Sequence, residues 1–351
     1  MRPEILAPVG SMEALNAALA AGCDAIYFGL PSFGARAFAN NFDLETTKAV
    51  IERCHLCGVK VYITMNTILY EDEIEDAYQM AKKVHSYGVD ALIIQDLGFI
   101  HLLHHRLPNL VLHASTQLSI SNPYQIKQLK KLGVKRVVLA RECTKEEIQA
   151  CVDTGIEVEV FVHGALCICY SGQCYFSSVH YGRSGNRGMC AQPCRMKYSL
   201  YEDGNKVDTH GEYVLSPKDL SLMDEVNTLA NMGVCSLKIE GRMKRAPYVY
   251  ESVSQVKKVL ENMQRSNLDE QNLRVTFNRE YTLGHMYKAS GNELMNNKTC
   301  NHQGIEIGKV VKVNKNKICI QLSQDLHQND GIRFERENLG CHVNFMYDKK
   351  Q

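Results

Sequence analysis

Cys167, Cys174, Cys190 and Cys194 follow one another with six, fifteen and three intervening residues, in a loop punctuated by Gly164, Gly172, Gly182, Gly185 and Gly188. An iron–sulfur core takes thiolates from several points around it, and a glycine-rich loop can wrap such a core. Four thiolates also suit a closed tetrahedral zinc site, although zinc ligands commonly come in pairs about two to four residues apart. Only Cys190 and Cys194 come near that spacing, which favours the cluster over zinc; a loop of unligated cysteines is the third reading. Cys169 lies between two of the candidates and could replace one of them. A cubane would hold its four sulfurs roughly 6 Å apart around a cavity, whereas zinc would draw them to roughly 4 Å.

The chain has fourteen cysteines in 351 residues. The N-terminal Met-Arg-Pro-Glu-Ile-Leu-Ala-Pro lacks the apolar core of a signal peptide. The expectation is therefore a cytoplasmic protein whose clustered cysteines serve metal or redox chemistry, not disulfides. Cys54 and Cys57 form a second, shorter pair ahead of Gly58, where a buried helix face is the simpler reading and a redox pair the other. Hydrophobic residues make up 45% and charged residues 23%, with a formal net charge of +1. That balance fits a soluble globular protein, and any nucleic-acid surface must be a local patch. The apolar runs are too short to span a bilayer, so no membrane partner is expected.

A second group of residues could recognise a substrate. Asn66, Gln95, Asp96, His113, Ser115, Gln117 and His163 fall at the ends of apolar strand candidates. Polar side chains at strand C-termini are what a barrel turns toward substrate. Asn66, His113, Gln117, His163 and Glu240 are the candidate catalytic residues. Arg183, Arg187, Arg195 and Lys197 follow the first cysteines, and Lys238, Arg242, Lys244 and Arg245 sit at and after the last strand. Arginine's forked donors suit carboxylate and phosphate, which makes Arg183, Arg187, Lys238, Arg242 and Lys244 candidate anion ligands. A solvated charged rim is the competing reading.

Short apolar strands at 4–9, 25–30, 60–66, 91–96, 110–116, 136–141, 157–163 and 236–241 must position these groups. Amphipathic stretches such as 72–85, with apolar residues at three and four spacing, separate them. Six of the strands follow a glycine turn, as in Ala-Gly-Cys-Asp, Tyr-Gly-Val-Asp and Leu-Gly-Val-Lys, where glycine caps a helix and turns the chain. Eight such units in roughly 250 residues predict a (β/α)8 TIM-like barrel, with an open doubly wound sheet as runner-up. The barrel is expected over residues 1–262, carrying the cysteine loop at 164–197 as an insertion. A small β appendage is expected over 270–351, from alternating or β-branched stretches at 274–278, 304–313 and 317–322, turns at 314–316 and 329–331, and no intervening helix.

The stretch Glu159-x-Phe161-x2-Gly164-Ala165-Leu166-Cys167-x4-Gly172-x-Cys174-x2-Ser177 resembles the signature of the collagenase-like peptidases of unknown catalytic type. Phe176 departs from the aliphatic residue usual there. The resemblance runs from Glu4-Ile-Leu-Ala-Pro-Val-Gly to Lys238-Ile-Glu-Gly-Arg242. It looks most like the tRNA uridine 5-hydroxylation branch, on the segment Cys190-Ala-Gln-Pro-Cys194-Arg195 and the trailing β appendage. The resemblance implies an iron–sulfur cofactor, of the [4Fe–4S] kind, prephenate as hydroxyl source, and tRNA as substrate. Ribosomal RNA and quinone hydroxylation occur in the same family. Members of the branch can be longer at the C-terminus, which implies either a shortened appendage or one half of a pair with a second family member.

The peptidase label needs a nucleophile with a base, or a metal with an open site. The chain carries neither His-Glu-x-x-His nor Gly-x-Ser-x-Gly. Cys167 with His163 or His180 is the sequence-near option for a thiol protease. Three readings therefore stand: an RNA-modifying hydroxylase, a peptidase, and a cluster-bearing partner subunit.

Overall fold

The computed structural model describes residues 2–35, 41–315, 317–335 and 339–346. Alternating strands and helices run β1 (Glu4–Pro8), α1 (Met12–Ala21), β2 (Ala25–Gly29), α2 (Leu44–Leu56), β3 (Lys60–Met65), α3 (Ile74–Ser86), β4 (Ala91–Ile94), α4 (Leu97–Arg106), β5 (Leu112–Ala114), α5 (Pro123–Lys131), β6 (Arg136–Val138), α6 (Lys145–Val152) and β7 (Glu157–Ala165). After the cysteine loop, with its short helix α7 (Phe176–Tyr181), come a hairpin β8 (Tyr201–Glu202) and β9 (Asn205–Lys206), then β10 (Asp219–Ser221), α8 (Val226–Met232), β11 (Ser236–Ile239), α9 (Ala246–Leu260), α10 (Asn267–Thr276) and β12 (Tyr281–Thr282).

β1 to β7 pair in order and in parallel, and β11 pairs in parallel with both β7 and β1. That double pairing closes the sheet into an eight-stranded barrel and excludes the open-sheet alternative. All eight expected strands are present. They read as apolar runs because each is covered on both faces, by helices outside and by lumen side chains inside; β2 and β4 are buried throughout. The helices start where the side chains of Ser11, Asp43, Asp96, Asn122 and Thr144 accept bonds from first-turn amides, satisfying donors that the helix leaves orphaned. The six turn glycines, 22, 58, 88, 133, 155 and 233, all adopt positive φ.

Two expectations fail between residues 262 and 303. The chain divides at Gln303/Gly304 into units 1–303 and 304–351, so the barrel unit extends past the expected boundary at 262–270. The strand expected at 274–278 is instead the end of helix α10, which starts from a reciprocal Ser266–Asp269 capping box. Burial of Leu273 outweighs the β-branched character of Val275 and Thr276. β12 then joins β10, which lies antiparallel on the C-terminal end of β7, and so extends the barrel sheet. Within 304–351 the expected β character holds. β13 (Gly308–Asn314) and β14 (Lys317–Leu322) form one antiparallel hairpin, and β15 (Gly331–Phe334) and β16 (Leu339–His342) another. Of the turn expected at 314–316, Asn316 lies outside the described residues; the turn at 329–331 includes Asn329 at φ +73°. Among the described residues no helix is long and apolar enough to cross a membrane.

Candidate active site at the barrel mouth

The barrel lumen is ionic at its base. Arg136 on β6 donates to Glu4 on β1 at 2.7 Å, to Glu157 at 3.0 Å and to Glu159 at 3.3 Å. β6 and β1 are not neighbours in the sheet, so this guanidinium crosses the lumen. Lys238 donates to Glu159 at 2.8 Å and lies over the Tyr27 ring at 4.3 Å. Burial holds the Lys238 amine below its ordinary value, against the pull of Glu159. Tyr62 donates to Glu4 at 2.7 Å, and His113 meets the Tyr62 ring edge-on at 4.8 Å. Burial, then the nearby Arg136 and Lys238, push the His113 imidazole well below its usual range, so it is neutral.

Above this layer the strand ends supply neutral polar groups. Asn66 accepts from the Ala35 amide and donates to Ser115 Oγ at 3.3 Å. Gln117 donates to the Asn66 carbonyl at 2.5 Å, and Gln95 to the Gln117 carbonyl at 3.3 Å. On the other side Arg242 donates to Thr64 Oγ1 at 3.0 Å, and Arg141, lying 4.0 Å over Phe161, donates to Glu240 at 2.8 Å. Gly29 makes room for this: a Cβ there would stand 2.6 Å from an Arg242 nitrogen.

The cysteine loop is bolted across this end. The Arg141 amide donates to Ser171 Oγ, Ser171 donates to Glu142, and Ser119 donates to the Ser171 carbonyl. Gly172, at φ +78°, presses so close to Gln117 that a Cβ would overlap its carbonyl oxygen; any side chain would lift the loop off β5. Further on, Arg187 donates to the Ile68 carbonyl and to both Glu73 oxygens, and stacks 4.4 Å over Tyr70. Arg195 donates to Ser216 Oγ and to the Pro217 and Leu166 carbonyls. The loop thus spans from the β5 and β6 ends to the segment after β3.

The thiols share one neighbourhood. Burial raises the Cys194 thiol to about 11, with Arg195 opposing and Cys167, Cys190 and Cys174 adding to the rise. Burial also raises Cys174, helped by Cys167, Cys169 and Cys190. Each thiol thus disfavours ionisation of its neighbours. Gly185 sits between two of them: its Cβ would lie 3.8 Å from Cys190 Sγ and 3.9 Å from the Cys174 carbonyl. Cys169 donates to the Gln173 carbonyl. Among the described residues no three His, Cys, Asp or Glu side chains gather tightly enough for one ion; a cluster core, being wider, asks its ligands only to surround it. Cys54 lies in the core with its thiol pushed up to about 12 by burial, and Cys57 caps the same helix.

The candidate residues separate into groups. Asn66, Gln117, Glu240 and Arg242 lie at the mouth, the first two hydrogen-bonded to each other. His113 and Lys238 lie below it, Lys238 only 4% exposed and committed to Glu159. Arg183 is exposed on the loop and donates to the Met189 carbonyl. Lys244 lies over the Phe277 ring, and burial lowers its amine to about 7, with Asp219 opposing. His163 misses the mouth. β7 gains a residue on β11 between the Phe161/Lys238 and His163/Ile239 pairs. That bulge turns His163 outward, stacked on Tyr248 of α9 and edge-on to Tyr281. The structure adds Arg136, Arg141 and the buried Asp219–Arg279 pair to the residues that the motifs pick out. Of these, only Arg136 carries a local signal, a charge at the inward parity of an apolar strand.

Both His163 ring nitrogens lack a partner among the described residues, and burial holds its pKa down to about 4. The folded chain therefore resists a proton that the unfolded chain accepts near pH 6.5. Stability is full above that pH and falls as pH drops toward 4, by up to about 3 kcal/mol for this one group. His163→Phe should flatten the loss between pH 6.5 and 4.5 in urea unfolding. An unchanged slope would assign the acid sensitivity elsewhere, with His113 next.

A parallel eight-stranded barrel with a cysteine-bearing loop fastened over its C-terminal end is the class that this fold and site define. The chain belongs to Peptidase family U32, whose sequence model matches residues 10–296. It is 35% identical to the 23S rRNA 5-hydroxycytidine C2501 synthase of Escherichia coli K12, over 98% of this chain and 54% of that protein. It is 39% identical to tRNA hydroxylation protein P1 of Bacillus subtilis 168, over 74% of this chain and 63% of that protein. With a collagenase of Porphyromonas gingivalis W83 it shares 35% identity, over 76% and 68% respectively. The chain spans 54% and 63% of the length of the first two of these relatives.

Proposed function

We propose that this chain is the catalytic barrel of an oxygen-independent RNA hydroxylase that places a hydroxyl on pyrimidine C5, with the wobble uridine of tRNA as substrate and prephenate as hydroxyl source. The observation that carries the reading is the loop that bears Cys167, Cys174, Cys190 and Cys194, fastened across the barrel mouth through Ser171, Arg187 and Arg195. Support comes from relatives whose names specify tRNA hydroxylation and a 5-hydroxycytidine in ribosomal RNA. The four thiols form a donor set fit for a [4Fe–4S] cluster, which would supply redox-active, Lewis-acidic iron at the mouth.

The chain's own groups have separate tasks in this reading. Asn66 and Gln117 offer amide donors and acceptors to a base edge, and Arg242 offers a cation to phosphate or carboxylate. Arg141 holds Glu240 in place as a candidate acid. The fastened loop keeps bulk water from the lumen. A second family member is the partner this reading admits.

The thiol-protease alternative lacks its dyad. His163 faces away from the loop with both nitrogens unpartnered among the described residues, and His180 packs edge-on to Phe176 at 5.0 Å. No hydrogen bond joins either histidine to Cys167 among the described residues.

Nucleoside mass spectrometry of a deletion strain tests the function. Hydroxyuridine-derived nucleosides should vanish from its tRNA and return with the intact chain. Unaltered RNA from that strain, together with gelatin cleavage by the purified chain that survives chelator and stops on thiol alkylation, would favour the peptidase.

A further inference from the structure

The loop that carries the cysteines has an unusual charge pattern. Residues 160–201 contain no aspartate or glutamate, although the chain-wide frequency of 39 in 351 would place four or five in 42 residues. The same stretch holds Arg183, Arg187, Arg195, Lys197 and five tyrosines. Carboxylates reach it from outside at three points: Glu73 on Arg187, Glu142 on Ser171 and Glu212 on Lys197. Four of the tyrosine rings stand well into solvent: Tyr170 and Tyr175 at 58% and Tyr181 at 47% exposure on the loop itself, and Tyr201 at 61% on the β8 hairpin that follows it. Their neighbours anchor the rings by one edge only: Tyr175 donates to Gln173 at 3.3 Å, and Tyr181 to Met196 Sδ at 3.4 Å. Arg183, next along the chain from the Tyr181 turn, is exposed as well.

Exposed aromatic rings cost solubility unless something stacks on them, and a stretch without acids favours a polyanion. Single-stranded nucleic acid satisfies both conditions. Its bases stack on aromatic faces without regard to sequence, while its phosphates seek fixed cations. A duplex hides its base faces and gains nothing from the rings. We propose that Tyr170, Tyr175 and Tyr181, with Arg183, form a stacking platform that receives an unpaired RNA segment and delivers a base to the barrel mouth beneath. The inference rests on the RNA reading above and adds to it the residues that grip the unpaired segment.

The test uses the full, anaerobically purified chain and two labelled probes, a 12-nucleotide oligouridylate and a 12-base-pair RNA duplex, followed by fluorescence anisotropy. The intact chain should prefer the single strand. Tyr170→Ala and Tyr181→Ala should each weaken single-strand binding roughly tenfold, while Tyr170→Phe and Tyr181→Phe, which keep the ring, bind as the parent does. Arg183→Ala should instead lower the slope of binding against salt by about one. Visible absorbance and thermal unfolding check that each variant keeps its metal content and fold. If the parent binds the single strand and both alanine variants bind equally well, the platform is refuted and the RNA reading survives. If the parent binds neither probe, both fall. If the alanine variants change the sedimentation coefficient of the chain, the rings belong to a contact between copies and the platform is likewise refuted.

Discussion

On the proposed cluster reading, Cys190→Ala protein, purified without oxygen, is expected to be colourless, to lack iron and acid-labile sulfide, and to leave RNA unmodified. Cys174→Ala should behave the same way. The argument rests on ligand count. A cubane held by four thiolates has one per iron, and losing one opens an iron to solvent and oxidant, so three rarely retain the cluster. The one further thiol of the loop, Cys169, lies near Cys174 but already donates to the Gln173 carbonyl. Cys169→Ala is therefore expected to keep both colour and activity. Full iron content in the Cys190→Ala protein would remove that residue from the ligand set, and colour loss in Cys169→Ala would put Cys169 into it. The loop itself should persist in all three variants, because Ser171, Gly172, Arg187 and Arg195 fasten it without any cysteine.

Arg136→Met is expected to cost about 3–5 kcal/mol of folding free energy, the usual loss when a buried pair is broken and its partners stay behind. The Glu159 side chain is fully buried, and its two cations are Arg136 and Lys238. Glu4 is 10% exposed and draws its closest cation from Arg136 at 2.7 Å. Methionine would fill much of the space but leave Glu159 with only the Lys238 amine, whose own charge burial already disfavours, and Glu4 with only the exposed Lys60 amine at 3.5 Å. A loss of this size is a large share of the stability of a typical domain, so expression in soluble form is itself a readout. Glu157→Gln serves as the comparison. That carboxylate is 34% exposed, and its loss should cost no more than about 1 kcal/mol. Urea unfolding that gave Arg136→Met and Glu157→Gln the same midpoint would show that water, not Arg136, neutralises the lumen carboxylates.

The strand order is legible in the amino-acid sequence, because each strand of a parallel barrel is buried on both faces and therefore appears as a short apolar run. The glycine before it is the one residue that takes the left-handed turn without strain. The cysteine loop is legible for a similar reason: its residue types and glycines have no use in a plain βα connection. α10 is harder to read, because the β-branched residues at 275–276 imitate a strand. The stronger local signal there is the Ser266–Asp269 capping box at the start of the helix.

Other features lie beyond any local pattern. Closure requires β11 to pair with β1, some 230 residues away in sequence, and only that contact separates a barrel from an open sheet. Which side a strand residue faces depends on register, and one bulge opposite β11 sends His163 out to Tyr248 although it ends an expected strand among mouth residues. Lys238 and Arg242 differ by four positions in a single basic run, yet one is spent on Glu159 inside the lumen and the other reaches the mouth. Charge and residue type are properties of the chain. Whether a charge meets a carboxylate or an open mouth is decided by the strands that stand across the barrel from it, because Coulomb partners in a low-dielectric lumen are set by distance through space.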